Sequence, residues 1–383
     1  MTSSQFLELF ISLTIQATVV IAATQGLCLI AQTAQTQSRL WNRSAIFLLA
    51  LTTAAVVLPH LRSLHPWSAI PPGVAVQMAV FEETIGRIVF GIWLIGVLGS
   101  SLILFRDSMR TSRFLKTCCP AGQPGTPLGD LLVEMESASV RQWPSVRFLT
   151  NSHLVSPFCW QIHQPHIVLP EFLLGHSPTE LRSVIRHELE HLRTGHPVQL
   201  FLQRIVGIAF WHHPLVRWSL QQAAVTREFA CDDAVAETPQ QIAGYLRTLL
   251  AIAERGGLAD EGPGNVLAFE RGKSVTARRA RRLLEKAVHQ TARPAPVPGA
   301  LFVAALATVA AAVSFVWVPV DVLASSRTSW SPWPKWSARA LYTFDVAVRD
   351  FEPPEDRSRL FELQRAAEPA AVRPAAARPR DRR

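Results

Sequence analysis

Charged residues are scarce in this 383-residue chain, at 17% against about 25% in ordinary soluble domains. Lysine is especially rare, with only Lys116, Lys273, Lys286 and Lys335, so arginine carries almost all of the formal net charge of +9. The mean hydropathy is +0.18. So little charge in so apolar a chain argues against an ordinary soluble enzyme and favours membrane segments.

Cysteine pairs at metal-binding or disulfide spacing are also missing. The five cysteines form no C-x-x-C pair and no evenly spaced framework: Cys28, Cys118, Cys119, Cys159 and Cys231. They indicate neither a disulfide scaffold nor a thiolate zinc cluster, and they fit a reducing compartment for the central region. No basic groove interleaved with aromatic residues occurs either, so we expect no direct nucleic-acid binding despite the positive charge.

Four apolar runs predict membrane-spanning helices. Residues 9–31 and 299–320 contain no charge and are long enough to cross about 30 Å of hydrocarbon. Residues 88–105 form a shorter run, and residues 44–61 form the weakest, because they include a proline and a histidine near one end. Glu8 precedes the first run, and no basic leader or cleavage site accompanies it, so we expect an uncleaved span.

Basic residues predict how these spans are oriented. Arg39 and Arg43 lie between the first two runs and place that loop inside, which leaves the second loop and the N-terminus outside. Arginines and lysines also follow the third span and precede the fourth, at the two ends of residues 106–298. This region is therefore expected in the cytoplasm of a bacterial-type cell, behind a multi-pass inner (plasma) membrane anchor.

The domain organisation follows from the spans. Residues 1–105 would hold three transmembrane helices, residues 106–298 a cytoplasmic domain, and residues 299–320 a fourth transmembrane helix. Residues 321–383 are rich in proline, alanine and arginine and cannot form a core, so we expect a disordered tail.

A helix with clear start and stop signals is predicted within the cytoplasmic region. Ser177, Pro178 and Glu180 have the spacing of a capping box with proline in the first turn. Gly195 supplies a stop at the other end. The sequence "HELEH" is therefore expected in the middle of a helix.

That motif has the spacing of a metal site. His187 and His191 are four residues apart, so both imidazoles lie on one helical face and can hold one ion. Glu188 lies about 100° round the helix, where it can act on a metal-bound water as a catalytic base. A solvated helix with two incidental histidines is the alternative unless a third ligand exists.

The segment "TREFACDDAVAE", beginning at Thr226, offers that ligand. Glu228 and Asp232 are one helical turn apart, so Glu228 could bind the metal while Asp232 holds a histidine ring from behind. Taken alone, the segment is equally compatible with an ordinary acidic surface helix.

Other features support a peptidase less directly. The runs "VRFLTNS" and "PHIVLP" predict a small sheet whose edge could bind substrate as an added strand, or a purely structural hairpin. His196, His212, His213 and Tyr245 are candidates for stabilising an oxyanion, and none is singled out. The basic run 278–282 fits an anchor on the inner face of the membrane or a site of self-cleavage.

The motifs together resemble the membrane-embedded zinc metallopeptidases of the BlaR/MecR antirepressor type. The resemblance spans about residues 85–290 and includes "SPFCWQIHQPHIVLP", "HELEH", "FWHHPLVRW" and "REFACDDAV". It implies Zn²⁺ held by His187, His191 and Glu228, with Glu188 as catalytic base. It also implies a mainly α integral membrane protein whose four transmembrane helices frame a cytoplasmic α+β HExxH zincin-like (gluzincin) domain.

The chain departs from that family at several points. Gln161 stands where the family usually has glycine, and His196 stands near a usually acidic position. The large penicillin-binding sensor of antibiotic-responsive members has a Ser-x-x-Lys nucleophile, and no such motif occurs in these residues. We therefore expect no direct β-lactam sensing by this chain.

The resulting hypothesis is a membrane-bound zinc metalloendopeptidase in signal transduction. Its expected partners are the lipid bilayer and a protein or peptide substrate, such as a transcriptional repressor, the chain itself or a membrane partner. The alternatives are an HtpX-like quality-control membrane protease and a non-proteolytic membrane signalling adaptor. The sequence leaves the stimulus and the oligomeric state open.

Overall fold

The structure is a computed structural model, and it is mainly helical. It describes residues 2–58, 60, 71–137, 146–161, 164–258, 273–288, 298–320 and 343–344. Almost all of the predicted tail lies outside the described residues, so its disorder stays a prediction.

Three long apolar helices begin the chain: α1 (Ser3–Ile30), α2 (Ala34–Val57) and α3 (Pro72–Lys116). Each contains a stretch long and apolar enough to cross a membrane. They cover the first three predicted spans, and the mainly helical fold with apolar helices is confirmed.

The fourth apolar helix, α10 (Gly299–Ser314), is shorter than the predicted 22-residue run 299–320, with 16 helical residues. At about 1.5 Å per residue it extends about 24 Å. After the end of α10, polar groups of the chain bond to α1 instead of continuing the helix. The Val318 N–H donates to Ser12 Oγ at 3.0 Å, and Trp317 Nε1 donates to Glu8 Oε1 at 2.5 Å. The number of spans therefore stays a proposal.

The chain forms two compact units. The first comprises described residues from 1–20, 48–95 and 308–383, and the second comprises those from 21–47 and 96–307. The boundaries between the two units lie inside the apolar helices, so they do not test the predicted domain boundaries. Every residue of the candidate site lies in the second unit.

A four-stranded sheet lies in the second unit, in the order β1-β2-β4-β3. β2 and β4 pair in parallel, with Phe148 opposite Ile167, whereas β3 runs antiparallel to β4 with Cys159 opposite Ile167. The hairpin interpretation is therefore wrong for the two predicted strands, because β3 intervenes between them in the sequence. The strands are β1 (Cys119–Pro120), β2 (Arg147–Asn151), β3 (Phe158–Trp160) and β4 (His166–Pro170).

Helices of the second unit pack against this sheet and against one another. Ile167 and Leu169 of β4 are fully buried against the apolar stripe of α5, which includes Ile185 and Leu189. Burying such side chains stabilises the fold by about 1.5–3 kcal/mol each. The helices are α4 (Pro127–Ser137), α5 (Pro178–Arg193), α6 (His196–Ala209), α7 (Pro214–Val235), α8 (Pro239–Leu258) and α9 (Lys273–Val288).

The predicted signals at the ends of α5 are confirmed. The Ser177 hydroxyl accepts from the Glu180 N–H, and the Glu180 carboxylate accepts from the Ser177 N–H. At the other end Gly195 has φ 68°, a left-handed conformation that disfavours residues with a Cβ. The chain turns there and begins α6 at once.

Candidate active site

Helix α5 places its motif residues in the interior. His187 and His191 are each 3% exposed and Glu188 is 1% exposed, values unusual for residue types that favour the surface. A solvated helix with incidental histidines would expose them to water, so that alternative is wrong. Burial of three polar side chains on one helix requires partners from elsewhere in the fold.

Helix α7 brings Glu228 to the two histidines. His187 Nε2 lies 3.1 Å from His191 Nε2, and the Glu228 carboxylate oxygens lie 3.4 Å from His187 Nε2 and 3.5 Å from His191 Nε2. Ligands arranged tetrahedrally about 2.0–2.1 Å from one zinc ion lie about 3.3 Å apart. The spacing and the chemistry of these three groups therefore fit a zinc ion.

Glu188 lies between the two histidines of the motif and is almost completely buried. Its Oε2 is buried and accepts no hydrogen bond from the described residues. An unsatisfied buried oxygen on a carboxylate is costly unless water or a ligand reaches it. Its place between the two histidines in the motif fits a bound water as that partner.

The back of the His187 ring contacts two polar groups. Tyr245 on α8 places its hydroxyl 3.0 Å from His187 Nδ1, and Asp232 Oδ1 lies 3.3 Å from the same nitrogen. The Tyr245 hydroxyl is also 3.0 Å from Asp232 Oδ1. Asp232 thus lies behind the His187 ring, and Tyr245 shares that position.

Arg279 on α9 is the site residue that sequence reasoning missed. Its Nη2 and Nε donate to Asp232 Oδ1 and Oδ2 at 2.6 and 3.0 Å, and its Nη1 lies 3.1 Å from Glu228 Oε2. The residue is 6% exposed. A planar guanidinium suits this paired contact, which the single ammonium of a lysine cannot reproduce.

The charge of Arg279 controls the state of Asp232. Burial alone would raise the pKa of the Asp232 carboxyl, but the Arg279 guanidinium and the hydrogen bonds from His187 and Arg279 hold that pKa well below its usual range. Asp232 is therefore ionised and is a strong acceptor behind His187.

A second contact fixes α9 against α7. Arg282 donates to both carboxylate oxygens of Asp233, at 3.1 and 2.6 Å, and Lys286 Nζ lies 2.9 Å from Asp233 Oδ1. Arg279, Arg282 and Lys286 recur at helical spacing with the fully buried Leu283. That spacing was the available sign that the basic run has a packed face.

The four oxyanion candidates occupy different places. His196 Nδ1 lies 2.8 Å from His191 Nδ1, and Tyr245 contacts His187 Nδ1, so both lie on the ring side away from the Nε2 atoms. His213 accepts from the Val216 N–H and caps α7. His212 is outside the cluster of His187, His191 and Glu228.

A cavity of about 140 Å³ opens onto His191 and Glu228. Edge strand β3 contributes Phe158 and Trp160 to its lining, and α6 contributes Leu200. β3 ends the sheet order, so one of its edges faces no other strand among the described residues. An extended peptide added at that edge would lie beside the cavity that His191 and Glu228 line.

Comparison with known proteins identifies the family of this chain. Residues 9–281 match the family described as BlaR1 peptidase M56. A stretch of 91 residues, 24% of this chain, is 31% identical to the regulatory protein BlaR1 of Bacillus licheniformis and covers 15% of that protein's length. The resemblance stated from the motifs is confirmed, and the chain belongs to the BlaR1 M56 peptidase family.

Proposed function

We propose that the protein is a membrane-bound zinc metalloendopeptidase that hydrolyses peptide bonds of a cytoplasmic protein. The observation that carries this proposal is the buried cluster of two imidazole nitrogens and one carboxylate at tetrahedral spacing, whose two histidines lie on the same helix as Glu188. The Glu188 Oε2 accepts no hydrogen bond from the described residues. The family match favours a peptidase over a non-proteolytic adaptor, and the HtpX-like alternative is not favoured.

His187, His191 and Glu228 are the proposed ligands. Bound there, zinc would supply Lewis acidity that brings the pKa of water to about 7. Glu188 would take the proton from the attacking water and return it to the leaving amine, with no covalent intermediate. Tyr245 and Asp232 would hold the His187 ring so that Nε2 points at the ion.

The substrate would bind in an extended conformation along β3. Its backbone would pair with the free edge of that strand, and a side chain next to the cleaved bond would enter the cavity lined by Phe158, Trp160 and Leu200. The edge position of β3 and the opening of the cavity onto His191 and Glu228 support this placement.

The cellular setting is proposed from charge and from the named relative. Four spans would hold residues 106–298 at the cytoplasmic face of a bacterial-type inner membrane. The relative is named a regulatory protein, which supports a signalling role with a transcriptional repressor, the chain itself or a membrane partner as substrate.

Glu188→Gln tests the chemistry most simply. The full-length protein is reconstituted in liposomes, cleavage of fluorescein-labelled casein is followed, and bound zinc is measured by mass spectrometry. The variant should keep its zinc and lose cleavage by about 10²–10⁴-fold. Undiminished cleavage would remove Glu188 from the mechanism.

Glu190→Gln is the matched control for this experiment. Glu190 lies on the same helix but pairs with Arg193, whose side chain is half exposed. Its substitution should leave both zinc content and cleavage near the wild-type values. A loss equal to that of Glu188→Gln would mean that any charge removed from α5 impairs the protein.

A further inference from the structure

The contact between His191 and His196 joins a proposed zinc ligand to a residue with no assigned role. The two Nδ1 atoms are 2.8 Å apart, and the residues are 3% and 5% exposed. We propose that His196 is a positioning residue, which accepts a hydrogen bond from His191 Nδ1–H and thereby directs His191 Nε2 at the metal. This inference rests on the proposed zinc site.

The direction of this hydrogen bond follows from the chemistry of imidazole. A ring that binds metal through Nε2 uses the lone pair of that nitrogen, so in its neutral form the proton must be on Nδ1. His191 is then the donor. His196 Nδ1 must supply the lone pair, and the proton of its own neutral ring is on Nε2.

Local backbone geometry makes this contact possible. Residues five apart on one continuous helix lie about 140° apart round the axis, at about 100° per residue, and do not face each other. Here α5 ends at Arg193, and the left-handed φ of 68° at Gly195 lets the chain turn before His196 begins α6. The turn brings the His196 ring beside the back of the His191 ring.

A second metal ion among these groups is the competing interpretation. Cys231 Sγ lies 3.6 Å from His196 Nδ1, and the three side chains could together hold a cation. Such an ion would have to replace the Nδ1 proton of His191, whose other nitrogen already faces the first site. The two Nδ1 atoms, 2.8 Å apart, are closer together than the ligand atoms of the first site, which are 3.1 to 3.5 Å apart, and this shorter distance favours a hydrogen bond.

The test measures zinc affinity of the full-length protein in detergent across a series of buffered free-zinc concentrations. His196→Phe keeps an aromatic ring but removes the acceptor, and it should weaken zinc binding by about 10–100-fold. His196→Asn places an amide oxygen near the position of Nδ1 and should retain most of the affinity. His153→Phe, at an exposed turn, is the control and should bind as the wild type does.

Cobalt substitution supplies a second readout. Because His196 orients a ligand, the visible spectrum of the cobalt protein should change in His196→Phe and return toward wild type in His196→Asn. Packing alone would not give this rescue, since asparagine fills the ring volume less well than phenylalanine.

Each remaining outcome has a definite meaning. Wild-type affinity in His196→Phe, or equal losses in both variants, overturns the positioning role while the zinc site stands. Two zinc ions per wild-type chain, reduced to one by Cys231→Ala, overturn it in favour of a second metal site. A wild-type protein without zinc overturns the proposed function itself and this inference with it.

Discussion

The guanidinium of Arg279 balances two buried carboxylates, Asp232 and Glu228. The sequence singled out Glu228 and Asp232 because they are one turn apart on one helix, a relation that spacing alone reveals, and their roles stay predictions. Arg279 lies 47 residues from Asp232. Whether a basic residue is solvated or buried depends on such a distant partner. The sequence therefore does not distinguish Arg279 from the other arginines of the run 278–282.

Removing this cation should destabilise the second unit. Arg279→Leu leaves the buried carboxylate of Asp232 without its paired cation, and we expect the free energy of unfolding to fall by about 3–5 kcal/mol. Urea unfolding of the purified protein in detergent measures the change.

Arg281→Leu is the matched comparison on the same helix. Arg281 pairs with Glu285 at the surface, where the two side chains are 83% and 59% exposed, and such pairs contribute under about 1 kcal/mol. Similar losses in both variants would contradict the assignment of Arg279 to a buried ion pair.

At the scale of elements, the sequence predicted the ends of a helix more accurately than the pairing of strands. The ends of α5 follow from Ser177, Glu180 and Gly195, whose effects act within a few residues. The parallel pairing of β2 and β4 was not foreseen, because β3 is only three residues long. A strand so short has too little alternation to be recognised from the sequence.

The capping box of α5 gives a pH-dependent prediction. Ser177→Ala should lower the free energy of unfolding by about 1 kcal/mol near pH 7. The hydrogen bond from Ser177 lowers the pKa of Glu180 from its ordinary value of 4.5, so that stabilisation is complete above 4.5 and is lost as the pH falls through the lowered pKa. The difference in free energy of unfolding between wild type and Ser177→Ala should therefore become smaller in acid.

Thermal unfolding of the zinc-free protein at several pH values measures this gap without interference from metal ligands. Ser183→Ala is the control, because its hydroxyl bonds only to the Thr179 carbonyl at an exposed position within the helix. The Ser183→Ala substitution should lower the free energy of unfolding only slightly at any pH. A gap for Ser177→Ala that widened in acid would contradict the assigned capping box.

At the scale of the whole molecule, composition predicted the three long apolar helices more accurately than the fourth. The apolar runs located the long helices α1, α2 and α3, because length and hydropathy alone determine whether a helix can cross a bilayer. The fourth run gave a shorter helix than its composition suggested, since Val318 and Trp317 bond to α1 instead of continuing α10.

The proposed orientation can be tested with a natural cysteine. Cys119 is exposed and follows α3, in the region expected in the cytoplasm. A membrane-impermeant maleimide should therefore label it only after cells are permeabilised. Ser68→Cys, in the loop expected outside, should add labelling in intact cells; the reverse pattern would contradict the orientation.

The zinc content of Glu228→Gln tests the central claim most directly. Wild-type full-length protein, purified without chelators, should contain one zinc ion per chain. The variant replaces a charged ligand by a neutral amide and should lose most of that zinc, while Glu188→Gln retains it. Zinc-free wild-type protein, or undiminished zinc in Glu228→Gln, would contradict the metal site formed by His187, His191 and Glu228.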